Sequence, residues 1–319
     1  MAPKSTLRGL WAASLTPLAA DGSIDQKLLV DHARFLLRSG CDGIVPFGTT
    51  GEGQSFTLAE RRQAVEALLG AGIKPDAMAV GIGCAAIGDA AELARHALGL
   101  GIRHLLALPP FFFKGVSDAG VAAAFARLID MVGDARMQLV LYHIPQVTAV
   151  PVGFAAIEKL LRDYPAIVVA IKDSAGEWTH TQELLRRFPG LAVLVGAEDQ
   201  LPQALRHGAA GTICGMANLV PALMRKVHDS AGKPEEAALT QRIAALAGIV
   251  DRGSFVARLK AALGEATGLP GWRAVRAPVM PLAAPDAQTL WQELRAAALT
   301  SADTGAAGTL PKGAAAAAP

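Results

Sequence analysis

One lysine ends a stretch of the chain that otherwise has the composition of a buried strand. In Val168–Ser174, four apolar residues precede Lys172. Burial disfavours the charged form of a lysine, and a neutral amine in a carbonyl-binding pocket is the nucleophile of Schiff-base chemistry. The alternative is a strand end at which the lysine stem lies on apolar surface and its ammonium reaches water. Lys172 taken alone favours that alternative.

A tyrosine ends the preceding apolar run. Because side chains alternate along a strand, Val140 and Tyr142 share one face of theirs, and Ala170 and Lys172 share one face of the next. Neighbouring strands lie about 4.8 Å apart, so Tyr142 can stand beside Lys172 and move protons to and from a carbinolamine. A core tyrosine bonded to the backbone is the alternative. His143 faces the other way and is interpreted as structural.

A glycine-rich turn follows an earlier apolar run. Its glycines allow close backbone approach, and its two hydroxyls and successive N–H groups make a compact cradle for an anion. The turn lacks the Gly-Lys-Ser/Thr ending of a P-loop, so a carboxylate fits better than a triphosphate. An ordinary turn in which Glu52 begins a helix cap is the alternative. The turn consists of Gly48, Thr49, Thr50, Gly51, Glu52 and Gly53.

Together the turn, the phenol and the amine have the chemistry to bind a 2-oxo acid, condense its ketone with a lysine and move protons. The elements that must position them form a regular pattern. Eight short apolar runs, from Leu10–Leu15 to Gly211–Cys214, alternate with stretches of helical period. This pattern predicts a (β/α)8 TIM barrel, in which reacting groups lie at the C-terminal ends of the strands. A doubly wound sheet is the alternative, but the first strand has no Gly-x-Gly-x-x-Gly after it.

The remaining chain divides by its composition. The barrel is predicted to occupy residues 1–230, and the helical periodicity of residues 231–298 predicts a three-helix C-terminal extension. Residues 299–319 are rich in Ala, Gly and Thr without periodicity, and we expect a disordered tail there.

Composition excludes several classes of function. The net charge is only +2, with acids and bases interspersed, so the chain has no electrostatic footprint for nucleic acid or an anionic membrane. No apolar run reaches the roughly 18 residues of a membrane span, and the N-terminus lacks the apolar core of a signal peptide. The protein is therefore expected to be cytoplasmic. No CxxC or His/Cys cluster indicates a metal site, and three cysteines are read as reduced packing thiols: Cys41, Cys84 and Cys214.

Three motifs, in this order and spacing, identify a relationship. Phe47–Glu52, Leu141–Pro145 and Ala170–Gly176 resemble the dihydrodipicolinate synthase/N-acetylneuraminate lyase family of class I aldolases. The resemblance extends to about Ala298. It implies a (β/α)8 barrel, a homotetramer built as a dimer of dimers, and no metal or organic cofactor.

The resemblance also implies roles for individual residues. Lys172 would form the imine with pyruvate or a pyruvate-derived portion, while Thr49 and Tyr142 would relay protons. Thr50 and the neighbouring N–H groups would hold the carboxylate. The other expected substrate-binding positions by this match are Gly48, Gly51, Gly196 and Ile213.

Departures from the family pattern concern the second substrate. The synthase branch has an arginine for a second carboxylate where this chain has Val147, and a relay tyrosine where it has Phe112. The asparagine that usually follows the motif tyrosine is His143. A missing guanidinium removes a charge-assisted hydrogen bond worth roughly 1.5–3 kcal/mol. These departures argue against lysine-pathway synthase activity.

Other positions are typical of a hydroxylated substrate. Ser174 matches a position where sugar-acid aldolases carry threonine or serine, and Glu198 and Asp199 match acidic groups that bind polyol hydroxyls. Phe111–Phe113 would instead suit an apolar or aromatic aldehyde, or would form a contact between subunits. These readings stay open.

We therefore expect a Schiff-base lyase that joins pyruvate to an aldehyde or cleaves the product, with a 2-keto-3-deoxy sugar acid or similar compound as substrate. The enzymatic alternatives are a dehydratase that uses the same imine and dihydrodipicolinate synthase itself. The non-enzymatic alternative is a 2-oxo acid sensor that retains the pocket.

Overall fold

Parallel strands form the centre of the molecule. The computed structural model describes residues 7–304, and within them eight strands pair in one parallel sheet. The strands are β1 (Gly9–Ala12), β2 (Gly43–Ile44), β3 (Ala79–Gly81), β4 (His104–Ala107), β5 (Gln138–His143), β6 (Val168–Asp173), β7 (Ala192–Val195) and β8 (Gly211–Cys214).

Helices alternate with these strands and then continue alone. Among the described residues they are α1 (Gln26–Arg38), α2 (Leu58–Gly70), α3 (Ile87–Gly99), α4 (Asp118–Val132), α5 (Pro145–Thr148), α6 (Phe154–Asp163), α7 (Trp178–Arg187), α8 (Leu201–Arg206), α9 (Pro221–Asp229), α10 (Glu236–Val250), α11 (Phe255–Thr267) and α12 (Ala284–Ala296). None of these helices combines the length and the apolarity that a membrane span requires.

The sheet closes on itself. Its order is β2-β1-β8-β7-β6-β5-β4-β3, and the two end strands meet through a parallel bridge between Ile44 and Met78. The Gly81 N–H also donates to the Pro46 carbonyl at 2.9 Å. Closure confirms the (β/α)8 barrel and shows that the doubly wound alternative is wrong.

Two apolar layers hold the barrel. A larger layer packs between the strands and the surrounding helices, and a smaller one fills the barrel interior, where Trp11, Val140 and Leu194 belong to it. Strict alternation would place Val169 with Ile171 on the helix-facing side. A register shift pairs Leu139 with Val168 but Val140 with Ala170, and Val169 packs in the interior cluster. Such a bulge inserts one residue and re-aims those that follow.

A buried asparagine fixes the end of β1 to the turn after β8. The Asn218 side chain accepts from the Leu15 N–H at 3.0 Å and donates to the carbonyls of Ala13 and Gly215, each at 2.8 Å. His32 Nε2 lies 2.9 Å from its amide oxygen, and burial lowers the pKa of His32 to about 4. The neutral imidazole therefore donates to Asn218, which satisfies the buried amide on both sides.

Between residues 231 and 298 the chain forms helices α10 to α12 and the segments that connect them, and the division at residue 231 stays a prediction. The first part of the predicted tail is attached to the extension. Asp303 is 1% exposed, and its carboxylate accepts from Arg242 Nη2 at 2.5 Å and from the Thr300 N–H at 2.8 Å. Its carbonyl accepts from the Ala222 N–H at the start of α9. Residues 305–319 of the predicted tail lie outside the described residues.

Candidate active site

A cavity of about 470 Å³ opens at the C-terminal ends of the strands. It brings together side chains that lie far apart in sequence, because the carboxyl ends of parallel strands meet at one face of a barrel. Its walls include nine of the eleven residues that were predicted from the sequence to be catalytic or to bind substrate: Thr49, Thr50, Tyr142, Lys172, Ser174, Gly196, Glu198, Asp199 and Ile213. Gly48 lines a neighbouring cavity instead.

Lys172 and Tyr142 form the centre of the site. They are register partners on β6 and β5, and Lys172 Nζ donates to Tyr142 Oη at 3.1 Å. The amine also lies 4.3 Å from the tyrosine ring centroid. Lys172 is only 4% exposed, so the strand end places a largely buried amine in the wall of the cavity. The phenol is its immediate proton partner.

Thr49 extends this contact into a chain of three groups. Its hydroxyl lies 3.3 Å from Tyr142 Oη. The usual O–H···O distance is about 2.7–2.8 Å, and catalytic hydrogen bonds often tighten only when substrate is bound. The order Thr49, Tyr142, Lys172 gives a path for a proton to and from the amine.

The turn that carries Thr49 is closed by its own backbone. The Glu52 N–H donates to the Thr49 carbonyl at 3.0 Å, and the Gly53 N–H donates to the Gly48 carbonyl at 3.1 Å. A side chain at Gly51 would place its Cβ 2.7 Å from the Ser14 carbonyl oxygen. Glycine is therefore required at position 51 for the turn to approach the barrel, although this residue does not line the cavity.

Glycine also makes room beside Ser174. A Cβ at Gly196 would lie 2.1 Å from Ser174 Oγ, and the Gly196 N–H donates to the Asp173 carbonyl at 2.7 Å. This contact continues the β6–β7 ladder past its last paired residues. Ser174 and Gly196 thus occupy one wall together.

Asp173 faces the opposite side of β6 from Lys172 and is buried there. Its carboxylate accepts from Thr181 Oγ1 at 2.7 Å, from His180 Nδ1 at 3.0 Å and from the Ala175 N–H at 3.2 Å. Burial raises the pKa of Asp173, but the hydrogen bonds from His180 and Thr181 outweigh it and hold the pKa below its usual value. The strand end is therefore fixed to α7 behind the site.

His143, Asp173 and His180 place three potential metal-ligand atoms within 4.8 Å of one another. The two imidazoles are stacked, with centroids 4.2 Å apart and planes 13° apart, so their in-plane lone pairs do not converge. His143 Nδ1 already accepts from the Val152 N–H at 3.1 Å. Burial and the neighbouring His180 lower the pKa of His143 to about 4, so its proton lies on Nε2. The cluster fits a hydrogen-bonded support and not a metal centre.

One end of the cavity is acidic. Glu198 Oε1 accepts from the N–H groups of Met216 at 2.9 Å and Gly215 at 3.1 Å, and burial raises the pKa of Glu198 to about 7. Asp251 lies at the end of α10 in the same wall. Burial and the charge of Asp199 raise its pKa.

Sequence reasoning missed the contribution of the extension. Asp251 belongs to a stripe of small residues at helical spacing on α10 that faces the cavity, and the start of α11 adds Phe255. The spacing i, i+3, i+4, i+7 was the available signal, but it is also typical of ordinary helix packing. The residues concerned are Ala244, Ala247, Gly248, Asp251 and Phe255.

A second cavity of about 340 Å³ adjoins the first at Thr49 and Tyr142. Thr49, Tyr142 and Val147 line both cavities. The wall of the second is mainly apolar, with Leu106 and Leu108 from the β4 side. Thr49 and Tyr142 thus lie between a cavity of mixed polarity and a mainly apolar one.

Comparison with known proteins shows the family to which the chain belongs. Residues 6–297 match the model of the dihydrodipicolinate synthetase family. The chain belongs to this family. An uncharacterized DapA-like lyase of Chloroflexus aurantiacus is 37% identical over 278 residues, which are 86% of this chain and 92% of that protein. The 4-hydroxy-tetrahydrodipicolinate synthase 1 of Streptomyces coelicolor is 35% identical over 232 residues, 72% of this chain and 74% of the relative.

A solved structure of the same family superposes closely. The crystal structure of dihydrodipicolinate synthase from Agrobacterium tumefaciens has a TM-score of 0.84 and 35% identity, and the match covers 90% of this chain and 98% of that one. The protein is therefore a lyase of the dihydrodipicolinate synthetase family, with the family barrel.

The raised pKa of Glu198 predicts a pH-dependent stability. Since the folded protein favours the protonated carboxyl, this stabilisation is complete below the usual pKa of 4.5 and is lost as the pH rises towards 7. Glu198→Gln should therefore gain thermal stability over the native protein as the pH rises from 5 to 8, by about 1–3 kcal/mol at the upper end. Tm measured at each pH tests this.

The exposed Glu158→Gln on α6 is the control and should leave the pH profile of Tm unchanged. A constant difference between Glu198→Gln and the native protein across this range would contradict the assignment.

Proposed function

We propose that this enzyme makes or breaks a carbon–carbon bond between pyruvate and an aldehyde through an imine on Lys172. The observation that carries the proposal is the buried amine of Lys172, 3.1 Å from Tyr142 Oη. Such a buried amine, positioned by its neighbour, is suited to attack a ketone. The Thr49 hydroxyl, 3.3 Å beyond, connects the phenol to the turn that we propose holds the substrate carboxylate.

The chemistry then follows from these groups. Lys172, as the free amine, attacks the C2 carbonyl carbon, and protonation of the resulting hydroxyl through Tyr142 lets it leave as water. In the cleavage direction, the C4 hydroxyl gives its proton to Tyr142 Oη, which lost one in the preceding step, and the C3–C4 bond breaks. Its electrons pass into the protonated imine, which gives an enamine and a free aldehyde. Tyr142 assists protonation of the enamine at C3, and hydrolysis returns pyruvate and the lysine.

The cavity favours an aldehyde that carries hydroxyl groups. Among residues 7–304, Lys172 is the sole basic side chain that lines the cavity, while Glu198, Asp199 and Asp251 lie together in the wall formed by the β7 loop and α10. Carboxyl groups hydrogen-bond to hydroxyls in either protonation state, and those that are ionised repel a second anionic group. We therefore propose as substrate a 2-keto-3-deoxy sugar acid, or a similar compound, that has no charged group besides its 2-oxo acid carboxylate.

Three alternatives use the same pocket and differ in what they release. A dehydratase would expel water from the imine and keep all carbon atoms in one product. Dihydrodipicolinate synthase would add aspartate semialdehyde to bound pyruvate. Val147 offers no positive charge for the carboxylate of that second substrate. A 2-oxo acid sensor would bind pyruvate and turn over no aldehyde.

Cleavage assays separate these possibilities. With lactate dehydrogenase and NADH to report pyruvate, 2-keto-3-deoxygluconate should be cleaved with a kcat/KM at least about tenfold above that of its 6-phosphate, given repulsion of about 1.4 kcal/mol or more. Lys172→Ala should abolish cleavage. Tyr142→Phe should lower kcat by about 10²- to 10⁴-fold, the usual contribution of a positioned acid–base group.

The matched control is Tyr164→Phe, because Tyr164 is the other tyrosine of the chain and donates to Asp130 at the surface, 3.0 Å away. It should retain native activity. Activity in Lys172→Ala, preference for the phosphorylated compound, or product formation from aspartate semialdehyde would each contradict the proposal.

We also propose that the protein assembles as a homotetramer built as a dimer of dimers. Phe112 and Phe113 are each 72% exposed, and their rings pack edge to face at 5.2 Å. Lys114 Nζ donates to the Thr148 carbonyl at 2.9 Å, which joins this loop to α5 and the exposed Val147. Adjacent exposed apolar side chains are typical of a contact between subunits.

Light scattering on the native protein should therefore give the mass of four chains. Phe112→Asp/Phe113→Asp should give a smaller species, because assembly would bury two carboxylates at an apolar contact with no positive group to pair with them. The exposed Met280→Asp is the control for a charge elsewhere on an apolar surface. A monomeric native protein would contradict the assembly.

A further inference from the structure

A buried ion pair connects the C-terminal extension to the turn that carries Thr49 and Thr50. Lys260, in the middle of α11, is fully buried. Its Nζ donates to Glu52 Oε1 at 2.5 Å and to the Ala274 carbonyl at 2.8 Å. The side chains of Lys260 and Glu52 are 1% and 2% exposed, so solvent does not screen this pair.

The second oxygen of Glu52 is held from the same side. Glu52 Oε2 accepts from the Arg276 N–H at 2.9 Å. The Arg276 side chain donates to the Ser55 carbonyl at 2.9 Å and to Glu60 Oε1 at 2.5 Å, beyond the other end of the turn. Arg276 is therefore attached to the turn at two points, Glu52 and Ser55. Lys260 of α11 joins the same segment to Glu52, because it also donates to the Ala274 carbonyl.

The backbone of Glu52 makes this attachment relevant to Thr49. Glu52 has a φ of +53°, a left-handed conformation that is unfavourable for residues with a side chain. In that conformation its N–H closes onto the Thr49 carbonyl at 3.0 Å. The carboxylate that Lys260 holds thus belongs to the residue whose backbone fixes Thr49, which lies 3.3 Å from Tyr142 Oη.

Stability alone gives no reason for a charged pair at this place. Burying both charges requires removal of their hydration, and apolar replacements of buried ion pairs are often neutral or stabilising. Burial lowers the pKa of Lys260, partly offset by the charge of Glu52. Beyond packing, the pair fixes the orientation of the Glu52 carboxylate, because Lys260 and the Arg276 N–H each donate a hydrogen bond to it.

We propose that Lys260 is a positioning residue which, through Glu52, sets the Thr49–Thr50 turn against Tyr142 and Lys172. The inference rests on the proposed function, in which this turn holds the pyruvate carboxylate and Thr49 belongs to the proton path. It assigns the extension a role in reaction at the barrel centre, although Lys260 itself does not line the cavity that contains Lys172.

The decisive variant removes both charges and keeps an acceptor for Arg276. Glu52→Gln/Lys260→Met should have a Tm close to that of the native protein, whereas Lys260→Met alone should be less stable because it strands the Glu52 carboxylate. In both variants the pyruvate concentration for half-maximal imine trapping by borohydride should rise, and the maximal trapping rate should fall, each roughly tenfold. A 1 Å misplacement of reacting groups can cost about 10²-fold.

Two further measurements separate positioning from a loss of folded protein. Hydrogen exchange at the Glu52 and Gly53 amides, which close the turn, should accelerate in the double variant. The stability control is Leu294→Ala on α12, a buried apolar residue outside this ion-pair network. It should lower Tm and leave the half-maximal pyruvate concentration unchanged.

Native trapping kinetics and native exchange in the double variant would overturn the inference, as would equal effects in Leu294→Ala. If the native protein forms no imine, the proposed function fails by itself. The exchange measurement still tests whether the pair holds the turn.

Discussion

The pairing of β5 with β6 at Tyr142 and Lys172 is the constraint on which the rest of the site depends. One register step in a strand turns a side chain from the barrel interior to the helix layer, so the amine and the phenol meet only in this alignment. The bulge at Val169 is part of it, since the register shift lies just before the pairs Val140–Ala170 and Tyr142–Lys172. A change that removed the bulge would therefore alter which groups face the cavity.

The same register serves both sides of the sheet. Next to the Tyr142–Lys172 pair, His143 is aligned with Asp173 on the outward side. The Asp173 carboxylate is anchored by α7, and the His143 and His180 rings stack at 4.2 Å, with Phe154 of α6 stacked on His180 at 5.2 Å. The inner pair lines the cavity, while the Asp173 carboxylate and His143 Nδ1 of the outer pair are hydrogen-bonded within the fold. Rigid support of this kind keeps a reactive side chain in one geometry.

The barrel and the meeting of Lys172, Tyr142 and Thr49 were predictable from the sequence because both depend on local patterns. Apolar runs at regular spacing give the strands, and barrel topology then brings the strand ends together. Asp251 and the Lys260–Glu52 pair were not predictable in the same way. Lys260 lies 208 residues from Glu52, and nothing in the helical pattern of α11 indicates which buried position would hold a charge. The bulge at Val169 breaks the alternation that strand arguments assume, and the burial of Asp303 depends on contacts with α9 and α10 that composition does not reveal.

The claim that Lys172 is the nucleophile is tested most directly by reduction of the pyruvate imine. Borohydride added to the protein with excess pyruvate should give one stable adduct by intact mass, and peptide mapping should place it on Lys172. The adduct should be absent without pyruvate and absent in Lys172→Ala. A folded native protein that forms no adduct, or an adduct on a different lysine, would contradict the account.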